Sequence, residues 1–278
     1  MGTLQLRRRR TALASGLATL VMAAGLAAVP AQAVDKTKYV ALGDSYAAGQ
    51  GAGPYLDACY RSENTYSELA ADAKTIKLVT NAACSGKTTQ EVVESQLSQL
   101  NKSTELVTIT AGGNNLGFGT IVTYCGMAMV DPTAAPLCDQ ASAAAAAQIA
   151  SGQLAGDVIA MIQSVQAAAP NAKIVVTGYP YLYDPVIPNA ADPMSLFIYQ
   201  AKLLADGLNG SIAGAAGATG AQYVDVSAAF AGHGINSASP WIGLDLADLG
   251  NPDNFHPNAA GYAAYFAALT AAGAYSTP

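Results

Sequence analysis

Five short apolar runs, Tyr39–Leu42, Ile76–Thr80, Leu106–Thr110, Lys173–Thr177 and Gln222–Val226, recur along the chain with helical patterns in the intervals. The helical stretches are Thr65–Ala73, Thr89–Leu100, Ser142–Ala168 and Leu196–Ala216, and a last one follows His256. Strand, helix and strand in strict alternation predict a mainly parallel five-stranded sheet covered by helices on both faces. Such a sheet carries its working residues in loops at the carboxyl ends of its strands. Three of these loops are polar and glycine-bearing: Gly43-Asp44-Ser45, Cys84-Ser85-Gly86 and Gly112-Gly113-Asn114. Their equivalent positions predict that they converge on one cleft.

The segment ahead of the first strand has a different grammar. Arg7 to Arg10 precede an apolar stretch from Thr11 to Val29, and Ala31-Gln32-Ala33 closes it with small residues. A basic start, an apolar centre and a small-residue exit predict an export signal, residues 1–33, cleaved near Ala33, and therefore an extracellular protein with no stable membrane anchor. Residues 34–278 then form one α/β domain, long enough for a sizeable core. Loss of the four arginines leaves nine basic against nineteen acidic residues, a net charge of −10. That balance offers no footprint for nucleic acid and is repelled by anionic membranes.

Four cysteines remain: Cys59, Cys84, Cys125 and Cys138. An even count in an exported chain predicts two disulfides. Three pairings exist, and nearness in sequence favours Cys59 with Cys84 and Cys125 with Cys138. Close Cys-x-x-Cys spacing and neighbouring histidines are both missing, so no metal is expected. Three longer stretches, Gly117–Asp139, Pro180–Pro193 and Ser227–Pro252, read as irregular and are expected to wall a substrate site. Tyr181, Tyr183 and Trp241 within them are candidate substrate contacts.

The chain has two histidines. His233, in Gly232-His233-Gly234, has no acidic neighbour and reads as structural. His256 follows Asp253 by three residues, close enough for that carboxylate to orient the imidazole and stabilise its charged form. Ser45 follows an apolar strand directly, which projects its hydroxyl at the top of the sheet. No serine sits in G-x-S-x-G, so the α/β-hydrolase elbow is excluded. Gly86, lacking a Cβ, can bring its N–H close to a developing oxyanion, Asn114 can add a side-chain amide, and the Ser45 N–H is a third donor. Asn115 suits a cap on the helix that follows it.

Gly-Asp-Ser-Tyr after the first strand, Gly86 after the second, Gly-Gly-Asn after the third and Asp-x-x-His near the C-terminus together resemble the SGNH (GDSL-type) hydrolase superfamily. The resemblance runs from Tyr39 to about Tyr265. Cys59-Tyr60-Arg61-Ser62 and Ala83-Cys84-Ser85-Gly86 bring it nearest to secreted bacterial lipases and esterases of that type, and support pairing Cys59 with Cys84. It implies a flavodoxin-like three-layer α/β/α sandwich. It also implies Ser45 as nucleophile, His256 as base, Asp253 as its orienting partner, and Ser45, Gly86 and Asn114 as the oxyanion hole. The chain departs from many relatives in reading Asn115 where they carry Asp, and it lacks a further cysteine near Gly232-His233-Gly234. In some relatives a backbone carbonyl takes over the role of the Asp.

The expected activity is hydrolysis of carboxylic esters, small or lipid, by a monomer needing no metal or organic cofactor. A carbohydrate O-deacetylase or a phospholipase would use the same residues. A non-catalytic binding protein would be expected to have lost one of Ser45, Gly86, Asn114 and His256, and all four are present. Tyrosine outnumbers phenylalanine 14 to 5, which favours a cleft with polar tips.

Overall fold

All four strand pairings are parallel, in the order β2-β1-β3-β4-β5. The strands are β1 (Thr37–Gly43), β2 (Ile76–Asn81), β3 (Leu106–Thr110), β4 (Lys173–Thr177) and β5 (Gln222–Val224). The structure is a computed structural model that describes residues 35–276. The expected export signal, residues 1–33, lies outside the described residues. The helices are α1 (Ser45–Ala48), α2 (Tyr66–Ala71), α3 (Thr89–Gln96), α4 (Phe118–Val130), α5 (Ala135–Ala150), α6 (Gln153–Ala168), α7 (Pro193–Thr219) and α8 (Ala259–Ala271). α2 packs with α8, while α3 packs with α6 and α6 with α7, so the sheet lies between two helical layers. This is the flavodoxin-like α/β/α sandwich. Among the described residues no single helix is long and apolar enough to cross a membrane.

Strand β3 is buried at every position, as a central parallel strand must be. Its side chains alternate, and Thr108 and Thr110 share one face. There the Tyr39 hydroxyl bonds Thr108 at 2.6 Å, and the Tyr66 hydroxyl bonds Thr110 at 2.9 Å. Thr110 also meets Thr177 at 2.7 Å, and Tyr265 donates to the Gly178 carbonyl at 2.9 Å. Each of these hydroxyls is paired, which offsets the cost of burying it. Helix α6 presents Leu154, Val158, Met161, Ile162 and Val165 at helical spacing, all buried.

Two helices differ from expectation. The expected helix Ser142–Ala168 is two, α5 and α6, parted at Ser151 and Gly152, where Gly152 turns left-handed at φ 76°. The stretch Gly117–Asp139, expected to be irregular, is α4 and the start of α5. Its glycines and β-branched residues mask the pattern Phe118, Ile121, Val122, Cys125, Met129, which is one helix face.

The chain order makes β1 the point where the sheet reverses direction of growth, with β2 on one side and β3 on the other. Ligands of such sheets settle at that switch point, beyond the strand ends. Gly43 closes β1 at φ 133°, and a Cβ there would stand 2.1 Å from the Thr110 carbonyl oxygen. Only glycine lets the ends of β1 and β3 approach this closely.

Candidate functional site

Ser45 opens α1 directly after β1. Asp44 caps that helix, accepting from the Tyr46 N–H at 3.0 Å, and this fixes the Ser45 side chain beyond the sheet. The Ser45 hydroxyl lies 2.8 Å from Nε2 of His256. The histidine comes from a loop 211 residues away, held by Gly243 N–H donating to the His256 carbonyl at 2.9 Å and by the Ile242–Pro257 bridge. Phe255, just before it, adopts φ 64°, a left-handed backbone that non-glycine residues rarely take. The Tyr46 hydroxyl donates to the Phe255 carbonyl at 2.6 Å and helps hold that conformation.

Asp253 does not take the place expected of it. Nδ1 of His256 lies 2.8 Å from the Asn254 carbonyl, and the Asp253 carboxylate accepts from the Tyr55 hydroxyl. A main-chain carbonyl thus fixes the imidazole tautomer. The three-residue spacing brought the carboxylate near, but the turn at Phe255 aims a closer oxygen at the ring. Burial pushes His256 down to about 4, opposed by the Asn254 carbonyl and by the Asp253 charge. Asp44 is pushed the other way, up to about 7, by burial, against its bond from Tyr179.

The loops that carry Gly86 and Asn114 are tied by the chain's own bonds. Gly86 turns at φ 80°, and nothing stands within 4 Å of where its Cβ would be. The Asn114 amide donates to the Lys87 carbonyl at 3.0 Å, tying the loop after β3 to the loop after β2 beside Gly86. An amide carries two N–H bonds, so one remains to serve the site. Among the described residues neither the Ser45 nor the Gly86 N–H has a hydrogen-bond acceptor. Tyr179, unremarked in the sequence, donates to Asp44 and accepts from the Gly113 N–H at 3.2 Å, joining the ends of β1, β3 and β4. Asn115 caps a different helix from the expected one: its Oδ1 accepts from the Thr89 N–H at 3.0 Å, at the start of α3.

An apolar cavity of about 130 Å³ opens from Ser45 and Asn114 between α4, α5 and α7. Phe118, Ile121, Met129, Phe197, Leu204 and Leu208 are among its walls. Tyr181 and Tyr183 line it, as expected of the Pro180–Pro193 stretch. The Ser227–Pro252 stretch does not. Within it Trp241 stacks on His233 at 3.4 Å, so both serve the loop's own packing.

Cys59 and Cys84 form a disulfide, as do Cys125 and Cys138. The first anchors the Ser85–Gly86 turn. The second staples α4 to α5 on the cavity wall. Among the described residues no cluster of His, Cys, Asp or Glu is arranged to hold a metal ion.

Known proteins resemble this chain along most of its length. Residues 41–264 match the model of the GDSL-like Lipase/Acylhydrolase family. Lipase 1 of Streptomyces coelicolor is 36% identical, covering 91% of this chain and 95% of the relative. The crystal structure of the extracellular lipase of Streptomyces rimosus superposes with a TM-score of 0.76 at 34% identity, covering 85% of this chain and 99% of the other. Phospholipase A1 of Streptomyces albidoflavus NA297 gives the same TM-score, identity and coverage.

Proposed function

Because the chain belongs to the GDSL-like lipase/acylhydrolase family, and is thereby a carboxylic ester hydrolase, we propose that it opens esters of fatty acids through an acyl-enzyme on Ser45. The observation that carries this reading is the 2.8 Å contact between the Ser45 hydroxyl and Nε2 of His256 at the mouth of an apolar cavity. His256 takes the serine proton as Ser45 attacks the ester carbonyl. The carbonyl oxygen, now negative, rests on the Ser45 and Gly86 N–H groups and the Asn114 amide. His256 returns the proton to the leaving alcohol, and water clears the acyl group by the same steps. The Asn254 carbonyl steadies the imidazole throughout, with the Asp253 charge a weaker influence.

The walls of the cavity favour an aliphatic acyl chain over the acetyl group of a sugar. The likeness to the Streptomyces albidoflavus phospholipase A1 favours diacyl phospholipids among the natural esters. The enzyme acts as a secreted monomer whose export signal ends near Ala33. This reading draws on the basic–apolar–small pattern of residues 1–33 and on the likeness to an extracellular lipase.

The test is hydrolysis of p-nitrophenyl esters from acetate to palmitate by the chain beginning at Val34, beside its Ala201→Phe variant. Ala201 is half-buried on the cavity wall of α7, so a ring there shortens the cavity without disturbing the sheet. Burial of one CH₂ is worth about 0.8 kcal/mol, so exclusion of three methylenes costs roughly 60-fold in kcat/KM on palmitate. Acetate turnover should stay within about threefold, since a two-carbon acyl group does not reach the ring. Equal loss on both esters would place the acyl chain elsewhere.

The buried histidine sets the pH dependence. With His256 at about 4, below its ordinary value of 6.5, the free enzyme keeps a neutral base far into the acid range. The acid limb of kcat/KM should therefore fall near pH 4, and a limb at 6.5 would show a solvated imidazole. Stability runs with the same shift. Between pH 6.5 and 4 the unfolded chain takes up a proton that folded His256 refuses, so this contribution, whole above 6.5, is lost as pH falls. Asp44 acts oppositely, since its raised value holds a proton when folded. Its contribution is whole below 3.8 and lost as pH rises through about 7.

A further inference from the structure

Gln50 is a polar side chain buried to 3% exposure, two residues past α1, with no part in the chemistry above. Its amide spans two loops that carry separate halves of the site. Oε1 accepts from the Ser85 hydroxyl at 2.5 Å, and Ser85 immediately precedes Gly86. Nε2 donates to the Pro252 carbonyl, four residues before His256. The backbone of Gln50 is engaged as well. Its N–H donates to the Ser45 carbonyl at 3.1 Å, and its carbonyl accepts from the Tyr262 hydroxyl at 2.9 Å, on the helix that follows His256.

We propose that Gln50 is a positioning residue that holds the Gly86 oxyanion donor and the His256 loop in register with Ser45. The inference rests on the Ser45–His256 reading and adds to it a group that touches no reacting atom. An amide suits the task because it offers an acceptor and a donor on one rigid plane, one for each loop. Ser85 supplies a hydroxyl to the acceptor and Pro252 a carbonyl to the donor, so exchange of either function leaves a loop untied. Neither loop has a long regular element to fix it. The loop after β2 is steadied by the Cys59–Cys84 disulfide on its far side, and the His256 loop by the Ile242–Pro257 bridge. Gln50 is the side chain that refers both to the nucleophile turn.

The consequence concerns rate rather than affinity. Small misplacement of a donor or base acts on the transition state, whereas the acyl cavity between α4, α5 and α7 does not include Gln50. Gln50→Met keeps length and volume while removing both bonds. It should lower kcat on p-nitrophenyl butyrate about 10- to 100-fold, with KM within about twofold and the melting curve still cooperative. Ser85→Ala unties one loop and should cost several-fold less. The double variant should be no slower than Gln50→Met, because the second change removes a bond already lost.

A kcat within about twofold of the parent in Gln50→Met, or losses that multiply in the double variant, would overturn the proposal. So would a loss that vanishes on cooling in proportion to the folded fraction. If Gln50→Met fails to fold, Ser85→Ala decides alone, and unchanged kcat there refutes the tie. Ser45→Ala measured alongside separates the two layers of the argument: activity retained in that variant refutes the nucleophile, while activity lost there and intact in Gln50→Met refutes only the positioning role.

Discussion

Ser45→Ala should lose ester turnover by on the order of 10⁴-fold or more while binding and melting stay close to the parent. Ser45 is 8% exposed, and its hydroxyl bonds one partner, Nε2 of His256. Its removal leaves that nitrogen facing a cavity that water or substrate can fill, so the cost to the fold is small. The cost to the chemistry is large, because no covalent intermediate can then form. What survives comes from the oxyanion donors acting on a direct attack by water. His256→Ala should cost a similar factor, and the pair together little more than either alone, since the proposed nucleophile and base act in a single step. Turnover followed at saturating p-nitrophenyl butyrate, with burst amplitude as a count of sites, checks both. A Ser45→Ala variant with more than about a hundredth of the parent rate would move the nucleophile elsewhere.

Asn114→Ala should lower kcat roughly 10²- to 10³-fold, about 3 kcal/mol of transition-state stabilisation, with KM nearly unchanged. The ester carbonyl is a weak acceptor in the ground state and a strong one once it carries charge, so the amide is felt mainly at the barrier. The substitution also cuts the bond to the Lys87 carbonyl. That part loosens the loop beside Gly86 and adds to the loss in the same direction. Thermal melting separates the two contributions from any effect on folding. A fall of less than about tenfold would leave Asn114 as a loop tie and nothing more.

The sheet was legible because β-strands buried on both faces write themselves as local apolar runs. All five runs are strands, and β1, β2 and β3 each end in the polar loop that sequence alone singled out. Ser45, Gly86 and Asn114 could be named as candidates because each lies a few residues past an apolar run, and His256 because it alone of the two histidines follows an acidic residue by three. What escaped depended on contacts between distant segments. Gln50 and Tyr179 sit in unremarkable local sequence, and their roles follow from partners as far away as Pro252 and Asp44. Asp253 misled because sequence spacing measures reach, while the left-handed turn at Phe255 decides which oxygen faces the ring. Helix α4 was hidden by glycines and β-branched residues whose low helix propensity is overridden by packing and by the Cys125–Cys138 staple.

The groups proposed to break the ester sit on loops after β1, β2 and β3 and ahead of α8. The walls proposed to meet the acyl chain come largely from α4, α5 and α7, with Tyr181 and Tyr183 from the loop after β4, and these stretches supply none of those groups. Chemistry and substrate choice therefore occupy separate stretches of the chain and can drift apart. Residues of the α4–α5 hairpin are free to be exchanged for bulkier or smaller ones, and what is hydrolysed changes while the manner of hydrolysis does not. A lineage built on this sheet can diversify its diet without reinventing its teeth.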